Sequence, residues 1–438
     1  MIFTSLFSRM KSYFIIEKAM ITGWYIKSKK IKKRTITQWM NYKGMNFLKK
    51  DNNIENIKYQ SISKKLSKNQ LYIDIASGSQ NYYIFTLDRD NNITFEKLSM
   101  EDTNKINQNI NSFRDNNQKM ATAIQQKTLS HKLQTRLKVV AIEKLTNIKK
   151  IILDKYLSNQ IKDKKELIIS PDGLLNFLPF EALYHNGKYL IEDYKISYIS
   201  SGREFVRQTK REKANPKYEM ICFGNPDFNA SLPIGDTKDM PNLTPLDKWE
   251  YYQNFKHIGD AEINITRDMY PNALIYEKKD ATIKNLMKIE SPRILHFSTH
   301  GNFLINDKIK NPMLKAGLAF TGANKKLDGI ATALKLSALD LKDTELVLLS
   351  ACESGLGEVQ NAEGVMGLPK AFLQAGARDV IMSLWSVSTK KTATLMEDFY
   401  KNLKKNQDYS TALRNAKLEM IKKDMHPYYW SAFIIHGI

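Results

Sequence analysis

"ELVLLSACESGLG", residues 345–357, opens as an apolar run and closes in small and polar residues. A strand with no polar alternation must be covered on both faces, which is the habit of parallel sheets. The same signature recurs at "YEMICFG" (218–224), "RILHFST" (293–299), "DVIMSLW" (379–385) and "WSAFIIHG" (430–437). Helical patterns fall between or after these strands, at 280–289, 364–375, 390–405 and 409–423. In the third of them Leu395, Met396, Phe399, Tyr400 and Leu403 follow the 3.6-residue period and are expected to face the sheet. This alternation predicts an α/β fold, a mostly parallel sheet flanked by helices. In such sheets, sites gather beyond the carboxyl ends of the strands. Cys352 stands just past one such end.

The upstream part of the chain reads differently. Residues 1–65 look helical and basic, and "LYIDIASGSQNYYIFTLDRDNNITFEKL" (71–98) alternates like an antiparallel meander with an Asp-Asn-Asn turn. Residues 103–161 turn from polar to helical. Then 166–183 reads as strand, turn and short helix, 195–201 as a strand, and 202–217 as a polar connection. No fixed repeat period is visible.

Composition narrows the class. A chain of 438 residues with 42% hydrophobic content is globular and long enough for more than one unit. Cys222 and Cys352 are its two cysteines, too few for a disulfide framework, which fits a reducing cytoplasm. No uninterrupted apolar run reaches the roughly 18 residues of a membrane-spanning helix, and the first 20 residues lack a secretory cleavage site. Of the net charge of +21, residues 1–50 carry +11, from 12 Lys or Arg against Glu17. Such a block nominates nucleic acid or an acidic protein as partner, set against the plainer reading of a solvated arm. Zinc-finger spacing and aromatic-rich RNA-binding signatures are missing, so nucleic acid is expected only as a weak or indirect partner.

A second strand gives Cys352 a chemical context. Fifty-two residues upstream, "ILHFSTHGNF" places His300 and Gly301 just past another carboxyl end. If the two strands are neighbours, imidazole and thiol share one rim. A thiol with its pKa near 8.5 is a poor nucleophile at neutral pH, and a neighbouring imidazole produces the reactive thiolate. The N–H groups of Gly301 and Cys352 are placed to hold an oxyanion, at typically about 3 kcal/mol per donor. These are the parts of acyl transfer. His296 and His300 do not read as a metal pair, because on a strand four residues span about 13 Å. His296 is expected to be a buried structural histidine, and Cys222 a core residue with no partner histidine evident. Neither metal nor cofactor is called for.

The segments "HFSTHG", "LVLLSACESGLG", "AEGVMGLPKAFLQAGARDVIMSLWSV" and "YYWSAFIIHG", with "LIISPDGLLNFLPFEAL" and "GKYLIEDYKISYISS" upstream, resemble the CHAT domain, a caspase-like family often joined to tetratricopeptide repeats. The likeness spans roughly residues 65–438. It implies a cysteine endopeptidase related to caspases and separase, with His300 as catalytic histidine and Cys352 as nucleophile. Their separation agrees with the roughly 50 residues known for caspases and is not an independent inference. It also implies three parts: a basic segment 1–65, an inactive protease-like half 66–210, and the active half 211–438.

The resemblance further implies a pocket for P1, the substrate residue whose carbonyl is attacked, near Ser350, Trp385 and Ser386. Relatives carry an aspartate shortly after "LW" or two residues before the cysteine. Here Ser388 and Thr389 follow "SLW", and Ser350 precedes Cys352 by two positions. Asp328, Asp340, Glu353 and Glu363 are then the acids available to meet a Lys or Arg at P1. The substrate expected is a protein cut in a prokaryotic defence or cell-death pathway, for which a gasdermin-like pore former is the family's precedent. Residues 1–65, with Trp24 and Trp39, are the expected docking segment for a separate regulator. The alternative is a catalytically silent scaffold that binds partners.

Overall fold

The computed structural model describes residues 29–43, 56–210, 213–231, 254–303, 309–325, 329–351, 357–360, 364–405 and 407–438. Cys352, Glu353, Asp328, Glu363 and Trp24 lie outside them.

Eleven strands form one sheet. Numbered along the chain they are β1 (Gln70–Ser77), β2 (Tyr82–Leu87), β3 (Ile93–Lys97), β4 (Glu166–Ser170), β5 (Lys195–Tyr198), β6 (Met220–Pro226), β7 (Leu274–Lys278), β8 (Ile294–Thr299), β9 (Leu346–Ala351), β10 (Asp379–Ser383) and β11 (Phe433–His436). Their order across the sheet is β3-β2-β1-β4-β5-β11-β10-β9-β8-β6-β7. Pairing is parallel except at the β1–β2–β3 meander and between β10 and β11. The five strands from β6 to β10 thus have the doubly-wound order 2-1-3-4-5, whose topological switch lies between β6 and β8.

The helices that frame the site are α1 (Lys29–Tyr42), α2 (Met100–Gln125), α3 (His131–Lys149), α4 (Ala261–Met269), α5 (Leu368–Ala375), α6 (Thr389–Leu403) and α7 (Tyr409–Lys422). Every residue of β8 and β9 is buried, as continuous apolar strands require. On α6, Leu395, Met396, Phe399 and Tyr400 are buried and Leu403 is partly so. α2 begins earlier than the polar composition suggested. Ser99 caps it by accepting the Asp102 N–H at 3.0 Å, and Ile106, Ile110, Phe113 and Met120 bury one helical face beneath polar neighbours.

Other expectations are corrected. Residues 364–367 are a strand paired with 357–360, and the helix starts at Leu368. The helix expected over 280–289 is a single turn, Ile283–Leu286, capped by Thr282. Trp39 is no docking spot, since it is fully buried with Ile36 and Met40 against Tyr72 and Phe85.

The last strand ties the sheet together. β11 sits antiparallel to β10 and parallel to β5, with His436 opposite Tyr198. Gly437 follows at φ +148°, and its N–H donates to the Tyr198 carbonyl at 2.8 Å. A Cβ there would fall 1.9 Å from Asp379 Oδ1, so the "HG" pair is a packing requirement at the seam. Lys417 of α7 adds a buried ion pair with Glu181 at 3.1 Å.

Candidate active site

β8 and β9 are parallel neighbours, and their register pairs Ser298 with Ser350 and Thr299 with Ala351. His300 follows Thr299 directly. Ala351, the residue before Cys352 in sequence, therefore ends its strand beside the residue before His300. Adjacent strands run about 4.8 Å apart.

The half-buried His300 ring lies between Phe228 and Phe255, at centroid distances of 5.3 and 5.4 Å. Its Nε2–H donates to the Lys256 carbonyl at 2.7 Å. A carbonyl only accepts, so Nε2 holds the proton and the neutral ring keeps its lone pair on Nδ1. Burial lowers the His300 pKa from its ordinary value, with the Lys256 carbonyl acting the other way. A backbone group thus fixes the tautomer of the base. Gly301 opens a short strand, 301–303, and lies opposite Leu318.

Beneath His300 lies a buried polar chain that the sequence did not disclose. Ser350 Oγ donates to Glu262 Oε1 at 2.9 Å. Glu262 Oε2 meets His296 Nε2 at 3.2 Å, and His296 Nδ1 meets the Tyr400 hydroxyl at 2.9 Å. Glu262 and His296 are 3% and 0% exposed. Burial alone would lower the His296 pKa, but neighbouring Cys222 and Glu262 outweigh it and raise the value to about 9. The shift favours the imidazolium form, and Nε2–H donates to the Glu262 carboxylate. His296 is buried, as expected. The expectation for Cys222 is half corrected: it is buried core, yet His296 is its register partner on the adjoining strand.

Glu262, Ser350 and His300 line one cavity of about 100 Å³. Ile258, Val387 and Phe433 supply apolar walls, and Ser383 and Thr392 hydroxyl-bearing ones. Trp385 lines a separate cleft of about 450 Å³ with Asn111, Arg114 and Phe177. It packs edge-on against Phe113 of α2, and its Nε1–H donates to the Tyr428 carbonyl at 3.0 Å. The Ser386 carbonyl accepts from the Tyr428 hydroxyl. The structure thus brings Ser350 to His300, whereas the wall after β10 includes Val387 and Thr389 rather than Trp385. Asp340 is an exposed loop residue, its side chain 71% accessible beside Lys342.

Two contributors escaped sequence reading. Glu262 stands in an ordinary amphipathic stretch, "DAEINITRDMY", and only the tertiary fold aims it at β9. Lys256 acts through its carbonyl, which has no side-chain signature. Among the described residues, no His, Cys, Asp and Glu cluster suits a metal ion, and no helix is long and apolar enough to cross a membrane.

The family model for the CHAT domain matches residues 142–438, more than half of the chain. The chain belongs to the CHAT domain family. Solved structures of the Saccharomyces cerevisiae separase–securin complex share the fold, with a TM-score of 0.59 over 94% of this chain and 34% of theirs, at 13% identity. The mostly parallel sheet of this CHAT domain, flanked by helices, is thus the caspase-like arrangement of separase. Curated relatives include Tetratricopeptide repeat protein 28 of Mus musculus, 34% identical over 315 residues, and of Homo sapiens, 22% identical over 315 residues. Each alignment covers 64% of this chain and 12% of the relative, so the chain matches about an eighth of those proteins.

Proposed function

We propose that this CHAT domain is a cysteine endopeptidase acting through His300 and Cys352 on a partner protein. The observation that carries the reading is the β8–β9 register, which sets Thr299 beside Ala351 immediately before the two residues concerned. The His300 ring supports it, since its tautomer leaves Nδ1 as the base.

In the reaction, the Cys352 thiol gives its proton to His300 Nδ1 and the sulfur attacks the peptide carbonyl carbon. The N–H groups of Gly301 and Cys352 hold the resulting oxyanion. The imidazolium then protonates the departing amine as the C–N bond breaks, leaving a thioester. Water, deprotonated by the same nitrogen, hydrolyses it and restores the thiol. Throughout, the Lys256 carbonyl keeps Nε2–H engaged and the ring oriented. Residues 66–210 serve as the catalytically silent half. A gasdermin-like protein in a defence pathway is the substrate that family precedent suggests, and a separate regulator docks through the basic N-terminal segment.

The test is co-expression of the full chain with the products of neighbouring genes, followed by mass spectrometry of new protein termini. Cleavage present with the parent chain and absent with Cys352→Ala and His300→Ala supports the reading. Identical termini from all three chains overturn it.

A further inference from the structure

Taking the endopeptidase reading as its basis, we propose that the pocket beside His300 selects an uncharged P1 side chain, because both carboxylate oxygens of Glu262, the acid among its described lining residues, are already engaged from behind. Among the described lining residues the acid is Glu262, and no lysine or arginine joins it. Each Glu262 oxygen is engaged, Oε1 by the Ser350 hydroxyl at 2.9 Å and Oε2 by His296 Nε2 at 3.2 Å. A positive P1 group entering the pocket meets a carboxylate whose field is offset by a cation one hydrogen bond deeper. Held away from water beside a matched ion pair, a second ammonium or guanidinium gains too little attraction to replace its hydration. Among the described lining residues, an acidic P1 group finds no lysine or arginine.

The hydroxyl groups point the same way. Ser350 donates to Glu262, Ser383 donates to the Ala351 carbonyl at 2.7 Å, and Thr299 donates to the Ala319 carbonyl. These three hydrogens are committed inward, and the apolar surface of Ile258, Val387 and Phe433, with His257, Thr389 and Thr392, lines the cavity of about 100 Å³. That surface suits Ala, Val, Leu or Met. The raised pKa of His296 favours the cationic form beside Glu262. The substrate class is therefore a protein segment with a small to medium uncharged residue before the cut, not the Lys or Arg that the family's acids would select. Glu262 and His296 are specificity residues.

The experiment uses peptidyl acyloxymethyl ketones that differ only at P1, bearing Ala, Leu, Lys, Arg or Asp. Labelling of Cys352 in the full chain is timed by intact mass spectrometry. Leu or Ala probes reacting at least about tenfold faster than Lys and Arg probes is the expected result, a ratio of the size pocket contacts deliver. Faster labelling by Lys or Arg overturns the pocket assignment and leaves the protease reading standing. Absence of labelling by every probe overturns the protease reading and this inference with it. His296→Gln exposes the Glu262 charge and is expected to move the Lys-to-Leu ratio upward by roughly tenfold, and an unchanged ratio contradicts the neutralised floor. Glu262→Gln covers the case in which His296→Gln fails to fold. It is expected to leave the preference for uncharged P1 in place, whereas loss of Lys labelling relative to Leu shows that Glu262 had been attracting cations.

Discussion

Two buried acids, one in each part of the sheet, make the most instructive comparison in the molecule. Asp74 on β1 is met by Lys43 at 2.9 Å, by the Trp39 indole N–H at 2.9 Å and by the Tyr72 hydroxyl. Lys43 spends its other bonds on the Ile75 and Ser170 carbonyls, both at 2.9 Å, and so fastens the carboxyl ends of β1 and β4. Glu262 is likewise held by a buried partner, His296, but it also lines the cavity beside His300. In the first cluster a plug from the basic N-terminal segment completes a structural ion pair. In the second the buried Glu262–His296 pair borders a cavity. Similar buried chemistry is sealed at one place and open to a cavity at the other, and the difference lies in what covers it.

The largest effect should come from opening the first cluster. Lys43→Met strands the Asp74 carboxylate and is expected to destabilise the chain by about 3–5 kcal/mol, read as a lower urea midpoint. Changing both partners, Lys43→Met with Asp74→Leu, should recover much of that loss, because well-packed apolar replacements avoid the desolvation penalty. If the single and double variants unfold alike, the plug is not an ion pair in energetic terms.

A smaller loss is expected at the seam between the two parts. Gly437→Ala forces the Asp379 carboxylate to move and should lower stability by about 1–3 kcal/mol in the same denaturation assay. A midpoint equal to that of the parent chain would mean that the seam yields without strain.

Proton linkage separates the clusters more gently. The His296 contribution is fully present below the ordinary imidazole value of 6.5, declines as pH rises, and is gone above about 9. Thermal melts should therefore fall between pH 7 and 9, with a shallower fall in Glu262→Gln. His426 behaves oppositely, held down to about 4 by burial and then by nearby Lys138. Its contribution is full above 6.5 and is lost as pH falls toward 4, so melts should also decline on acidification. Alkaline behaviour identical in the parent and Glu262→Gln chains would remove His296 from the account.

Much of the fold was written locally. Apolar runs announced β6, β8, β9 and β10, and the spacing of Leu395, Met396, Phe399 and Tyr400 announced the buried face of α6. Strand order was not local information. "WSAFIIHG" reads as a strand, but nothing in it says that it enters between β5 and β10 and reverses direction there. The site divides in the same way. His300 was legible because a histidine beside a glycine at a strand end is chemically conspicuous. Glu262, the Lys256 carbonyl and the Cys222–His296 neighbourhood were illegible because each depends on contacts between distant segments. Trp39 was misjudged for a related reason. Basic neighbours suggested exposure, while the indole is buried against Asp74 through a contact 35 residues away.

The central claim is that His300 activates Cys352, and the pH dependence of Cys352 alkylation tests it most directly. Peptide mapping after timed iodoacetamide treatment should show Cys352 reacting with an apparent pKa well below the usual 8.5 of a free thiol. His300→Ala should return it to that range. Ordinary thiol behaviour in the parent chain, unchanged by His300→Ala, would contradict the account.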